Sequence, residues 1–225
     1  MAGRDRLAVA LDFSDANSAL DLAQRLRREV GVLKVGLELF IAAGPPIVRQ
    51  LAAEQPVFLD LKLLDIPATV SRAARCAAAL GARYLTVHAD AQALAAAVEG
   101  APELKILAVT VLTSAASVEG ARSVADVVLE RAQIAQSAGC YGVVCSVAEA
   151  AAVKAAFPRL AVVTPGIRPA GSAHGDQARV ATPSDAITAG ADLLVVGRPI
   201  RDATDPVAAA QAIVAEIDRV CGAKP

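Results

Sequence analysis

The chain predicts an α/β fold of the (β/α)8 barrel class, a TIM barrel, in a single domain over residues 1–225, and three observations carry that prediction. Short β-branched runs alternate with alanine-rich helical tracts along the 225 residues. Such runs number about eight, the count that a closed barrel of parallel strands uses. Polar and charged residues recur where those runs end. Strict alternation of strand and helix implies a parallel sheet with right-handed crossovers. Eight repeats in so short a chain favour closure over an open doubly wound sheet.

The elements follow in order. Leu7-Ala8-Val9-Ala10-Leu11 opens the series as a strand at 7–11, and Asp15 stands where a side-chain cap starts the helix at 16–29. Gly31 then precedes the strand at 32–35, and the next helix, 45–53, begins on Pro45. Strand 57–61 leads to a helix at 67–80 that opens on Pro67, a residue tolerated in a first helical turn. Gly81 separates that helix from strand 84–87, which is followed by helix 91–98, strand 106–111, helix 123–137 and strand 142–145. Helix 147–157 and strand 161–164 come next, then helix 183–189 behind Thr182-Pro183, strand 193–196, and helix 206–220 behind Asp205-Pro206. Gly31, Gly81, Gly139 and Gly190 each stand between a helix and a strand, the usual glycine signature of a helix C-terminus. No linker or low-complexity stretch divides the chain.

Composition excludes several classes of function. Hydrophobic residues make up 55% and mean hydropathy is +0.48, yet much of this is alanine, and no apolar run approaches the ~18 residues of a membrane span. The apolar run near the N-terminus breaks at Asp12, too early for a secretory core. A cytoplasmic protein is expected. Net charge is −1 with a pI near 6.1, and there is no Trp, so both the basic field and the stacking platforms of a nucleic-acid binder are missing. Arg25, Arg27 and Arg28 form the one tight basic cluster and are expected on the wet face of the first helix. Cys76, Cys140, Cys145 and Cys221 show no CxxC spacing, which argues for reduced thiols and against structural zinc.

In a (β/α) barrel, catalytic groups lie at the C-terminal ends of the strands. Asp12 stands there after the first strand, and Lys34 lies within the second. Asp60, Lys62 and Asp65 stand at the end of the third, with Asp60 and Lys62 on one face by strand alternation. Further candidates are His88, Thr113-Ser114, Arg168 and Gly197-Arg198. Burying so many charges costs several kcal/mol each unless they are paired, so a binding site explains them better than scattered salt bridges do. Gly197-Arg198 follows the last strand, where backbone N–H groups and an arginine fork commonly hold a phosphate. The glycine-rich stretch 168–179 reads as a lid from which Gln177 could reach the ligand. His174 reads as a solvated lid residue, and His88 as a hydrogen-bonded structural one.

With these residues assembled, the chain resembles the orotidine 5′-phosphate decarboxylase family over essentially its full length. The carrying motifs are Leu11-Asp12, Leu33-Lys34-Val35-Gly36, Asp60-Leu61-Lys62-Leu63-Leu64-Asp65-Ile66-Pro67, Leu112-Thr113-Ser114, Thr164-Pro165-Gly166-Ile167-Arg168, Gly175-Asp176-Gln177 and Val196-Gly197-Arg198. The resemblance implies a homodimer of barrels that converts orotidine 5′-monophosphate to UMP without metal or organic cofactor. It implies an alternating charged array of Lys34, Asp60, Lys62 and Asp65, with Lys62 the proton donor and Asp65 reaching into the partner's site. It further implies ribose contacts from Asp12 and Lys34, with Thr69 contributed across the interface. Thr113-Ser114 would bind the pyrimidine, Gln177, Gly197 and Arg198 the phosphate, and Arg168 would stand at the base of the lid. Leu64 and Ala68 depart from the polar residues, commonly His and Asn, that many bacterial members carry there.

Two rivals follow from the same residues. A Mg²⁺-dependent sugar-phosphate decarboxylase or hexulose-phosphate synthase shares the Asp-x-Lys-x-x-Asp spacing, but it carries a carboxylate where this chain has Lys34. An inactive nucleotide-binding barrel would be expected to lack charges that this chain retains.

Overall fold

The computed structural model describes residues 2–112, 122–169 and 181–222. Eight parallel strands close into a barrel in the order β1 to β8: Leu7–Ala10, Val32–Gly36, Val57–Leu63, Ala82–His88, Lys105–Val109, Gly142–Val144, Ala161–Thr164 and Leu193–Val196. Closure is made by β1 pairing with both β2 and β8. Strand bounds fall within two residues of those expected from sequence.

Helices α1 to α7 occupy the crossovers at Ala16–Arg25, Leu37–Ala52, Pro67–Ala79, Ala91–Gly100, Val124–Ser137, Val147–Ala156 and Pro183–Thr188. After β8 come a short α8 at Arg198–Arg201 and a long α9 at Pro206–Gly222, and a 3₁₀ turn at Gly3–Arg6 precedes β1. Asp15 caps α1 through the Ser18 N–H, and Thr182 caps α7 through the Asp185 N–H, as their types suggested. Gly81, Gly139 and Gly190 adopt positive φ at helix ends, whereas Gly31 does not.

Two helices differ from expectation. α1 stops at Arg25 rather than at residue 29, because the chain tightens into turns that carry buried Val30 down to β2; Arg27 and Arg28 therefore lie on an exposed turn, with Arg27 paired to Glu54. α2 begins at Leu37, eight residues before Pro45. Gly44, at φ 65°, breaks the dihedral run ahead of Pro45 and Pro46, yet helix continues on both sides. Proline lacks the N–H that would have joined the two halves without a kink.

Strand alternation sorts the core into two shells. Leu7, Val9, Leu33, Val35, Leu59, Leu85, Ile106, Val162 and Val196 face outward under the helices. Ala8, Ala10, Val32, Phe58, Tyr84, Leu107, Val163, Leu193 and Val195 fill the barrel interior. Complete burial of each large side chain contributes about 1.5–3 kcal/mol. Cys140 and Cys145 belong to the outer shell, and burial pushes the Cys140 thiol up to about 12, which keeps it protonated. No described helix is long and apolar enough to cross a membrane.

Candidate active site

The C-terminal mouth of the barrel opens into a cleft of about 490 Å³ lined by Asp12, Lys34, Asp60, Lys62, Arg168, Gly197 and Arg198 among others. Its floor is the upper end of the apolar interior: Ala10, Phe58, Val109, Val144 and Val195 also border the cleft.

Four of these side chains form one chain of alternating charge. Lys34 Nζ donates to Asp12 Oδ1 at 3.0 Å and lies 3.7 Å from Asp60 Oδ2, while Lys62 Nζ donates to Asp60 Oδ1 at 2.9 Å. The Lys34 side chain is only 10% exposed and that of Asp60 15%, so each depends on its neighbours for the solvation it has lost. Burial alone would raise the Asp60 carboxyl. The charges of Lys34 and Lys62, with hydrogen bonds from Lys62 and Thr86, outweigh that and hold it below the usual carboxylate range.

Simple alternation does not account for the Asp60–Lys62 pair. Along the β3–β4 ladder, Leu59 pairs with Leu85 but Leu63 pairs with Val87, so four steps on β3 match two on β4. The extra residues form a bulge, and Lys62 sits in it at φ 51°, the one non-glycine residue with positive φ among the described residues. That region costs an L-residue about 1–2 kcal/mol. The Lys62 N–H is satisfied by Thr86 Oγ1 at 2.9 Å, and the Thr86 hydroxyl donates in turn to Asp60 Oδ1 at 2.9 Å.

Gly36 ends β2 beside the pair that Lys34 makes with Asp12. A β-carbon there would lie 2.9 Å from Asp12 Oδ1 and 3.0 Å from Lys34 Nζ, so any side chain would displace the pair.

Other expected residues are placed as follows. Arg168 is buried at the cleft wall and donates to the Ile167 carbonyl. Gly197 precedes α8, and Arg198 begins it. Asp65 is exposed outside the cleft, its Oδ1 accepting from the Ile66 N–H, and it forms no ion pair among the described residues. Thr69 lies in the first turn of α3, half-buried, with Arg72 donating to its hydroxyl. Within one chain, therefore, the array contains Lys34, Asp60 and Lys62 but not Asp65. Thr113, Ser114 and Gln177, together with His174, lie outside the described residues. His88 does not line the cleft. Its imidazole is held below its ordinary value by partial burial, then by the charges of Lys62 and Arg131.

Sequence reasoning missed Thr86, Glu38 and Arg201. Glu38 lines the cleft from α2. Arg201 lines it from α8, donates to the Asp12 carbonyl at 2.7 Å and pairs with Asp202. Its signal was a second arginine one turn beyond Arg198, on the same side of the short helix.

The sequence profile of the orotidine 5′-phosphate decarboxylase / HUMPS family matches residues 5–213. The chain belongs to that family. It is 55% identical to an orotidine 5′-phosphate decarboxylase of Anaeromyxobacter sp. (strain K), covering 96% of this chain and 99% of that protein. With the enzyme of the same name from Thermobifida fusca (strain YX) it shares 52% identity over 97% of this chain and 98% of the relative. The crystal structure of orotidine 5′-phosphate decarboxylase from Lactobacillus acidophilus superposes with a TM-score of 0.83 at 35% identity, covering 94% of this chain and 98% of that one.

Proposed function

We propose that the protein is a cytoplasmic carboxy-lyase that decarboxylates orotidine 5′-monophosphate to UMP and CO₂ in UMP synthesis, using neither metal nor organic cofactor. The observation that carries this reading is the alternating chain Asp12–Lys34–Asp60–Lys62 at the mouth of the barrel. Loss of CO₂ from C6 of the pyrimidine leaves an electron pair in the ring plane, where the ring π system cannot absorb it. A fixed ammonium can, and preorganised charge is usually the largest catalytic contribution. In this reading, Lys62 stabilises the developing carbanion and then donates its proton to C6. Asp60 holds that ammonium in place.

Asp12 and Lys34 take the ribose hydroxyls. Gly197, Arg198 and Gln177 take the phosphate, Thr113 and Ser114 the pyrimidine, and Arg168 supports the lid. Binding energy from the phosphate offsets the cost of gathering these charges around the reacting carbon. Lys34 stands between Asp12 and Asp60, where an ammonium repels Mg²⁺; this disfavours the metal-dependent sugar-phosphate chemistry of relatives with a carboxylate at that position.

The working unit in this reading is a homodimer. Asp65 lies between two exposed apolar residues, Leu64 and Ile66, while Leu37 and Ile41 are exposed one turn apart on α2 above the neighbouring strand. An apolar rim of this kind is suited to burial against a second copy. Burial there would bring Asp65 and Thr69 of each chain to the partner's cleft, where Asp65 completes the array.

Loss of orotidine 5′-monophosphate absorbance with the purified protein, run with and without EDTA, tests the reading. Chelator-resistant formation of UMP is expected. Binding of UMP without conversion would favour the inactive barrel, and EDTA-sensitive turnover would restore the metal-dependent rival.

A further inference from the structure

We infer that Thr86 is a positioning residue for the reaction, its single hydroxyl holding Lys62 in the bulged conformation that aims the ammonium along Asp60. This rests on the reading of Lys62 as the reacting group.

Thr86 is fully buried on β4, and its hydroxyl is engaged on both sides: it accepts from the Lys62 N–H and donates to Asp60 Oδ1, each at 2.9 Å. Asp60 Oδ1 also accepts from Lys62 Nζ. Backbone nitrogen, hydroxyl, carboxylate and ammonium thus close one ring that begins and ends on Lys62. The bulge makes the ring necessary. Between Leu59 and Leu63 the β3–β4 ladder loses register, and the Lys62 N–H is taken by the Thr86 hydroxyl instead of a β4 carbonyl. Lys62 holds φ 51°, a conformation that persists only where surrounding contacts over-determine it.

A hydroxyl is the smallest group that can accept from the backbone and donate to the carboxylate at once. Valine fills the same volume and does neither. Without the ring, Lys62 is free to return to ordinary strand geometry and its ammonium leaves Asp60. Gly197 and Arg198, proposed to grip the phosphate, belong to another element, and Lys34 keeps its hydrogen bond to Asp12 whatever stands at position 86.

The test compares Thr86→Val and Thr86→Ser with the unaltered protein, reading kcat and KM for orotidine 5′-monophosphate, UMP affinity and thermal midpoint. Thr86→Val is expected to lose kcat by about 100-fold, the scale set by misplacing a reacting group by an ångström. Its KM and UMP affinity should stay near those of the parent, and Thr86→Ser should recover most of kcat. If Thr86→Val does not fold, Thr86→Cys replaces it, and its kcat must fall between those of the serine variant and an inactive enzyme.

Parent-like kcat in the valine or cysteine variant overturns the inference, as does equal loss in the serine and valine variants. Absence of turnover in the unaltered protein would instead strike the decarboxylase reading itself.

Discussion

The two mouths of the barrel are built by the same strands yet do opposite things. Stepping two residues along β2 leads from Val32 to Lys34, along β3 from Phe58 to Asp60, and along β4 from Tyr84 to Thr86. Two residues of strand rise only about 7 Å. Over that distance the interior changes from an apolar plug to a charged array. At the N-terminal mouth the apolar interior ends in aromatic rings beside a smaller cleft of about 280 Å³ lined by Val32, Tyr84, Lys105 and Tyr141 among others. Tyr84 packs edge to face against both Phe58 and Tyr141, with centroids 6.0 Å apart in each of the two contacts, and the Lys105 ammonium lies 4.1 Å from the centre of the Tyr141 ring. At the C-terminal mouth the alternating chain Asp12–Lys34–Asp60–Lys62 borders an open cleft, and Asp65, the proposed further member, is exposed outside the cleft of its own chain. The dry layer beneath allows charges above it to act strongly, because field strength rises as water is excluded. Stability and chemistry are thus separated by one layer of side chains rather than assigned to different elements.

Lys62→Ala strikes the C-terminal mouth hardest. It should lower kcat by on the order of 10⁴-fold or more, the combined scale of an electrostatic stabiliser and a general acid. UMP binding should persist in a titration, since the residues proposed to hold the phosphate and ribose are unaltered. Tyr84→Ala attacks the other mouth. Truncating a buried aromatic there should cost about 3–5 kcal/mol in a denaturant titration, with kcat per folded molecule retained. A variant of Tyr84 that lost turnover without losing stability would erase the separation of the two ends.

Arg198→Ala should raise KM about 10- to 100-fold through loss of charge-assisted hydrogen bonds of about 1.5–3 kcal/mol, as read from initial rates across a substrate series. Its kcat should fall less than that of Lys62→Ala.

The smallest expected effect is on pH dependence. Asp60 is held below the ordinary carboxylate value in the folded chain by Lys34, Lys62 and two hydrogen bonds, against the opposing effect of burial. A depressed folded value means that its contribution to stability is complete above the unfolded value, about 3.9, and is lost as pH falls through the folded one. Thermal midpoints measured across that acid range should fall more steeply for the parent than for Asp60→Asn.

Much of this was legible in the sequence, for identifiable reasons. β-Branched runs between alanine-rich tracts marked the strands because parallel barrel strands are buried on both faces. Lys34, Asp60 and Lys62 were legible because charges at strand ends have few other uses. The start of α2 was hidden by Gly44-Pro45-Pro46, which reads as an end although helix flanks it on both sides. Thr86 was hidden because a threonine in a strand is unremarkable until the bulge opposite it is known. The bulge was hidden in turn because alternation already predicted that Asp60 and Lys62 would meet. Asp65 shares a motif with Asp60 and Lys62 and yet lies outside the cleft of its own chain, because the bulge in β3 ends before it.

In the proposed dimer one reactive array is drawn from two chains, and subunit mixing checks that sharing. Lys62→Ala and Asp65→Ala, each nearly inactive alone, should regain activity when mixed and allowed to exchange, because one site of each mixed dimer then holds both native groups. Random pairing of equal amounts should restore about a quarter of parental turnover. No recovery on mixing, with mixed dimers demonstrated by mass, would contradict a shared array and return the chemistry to a single chain.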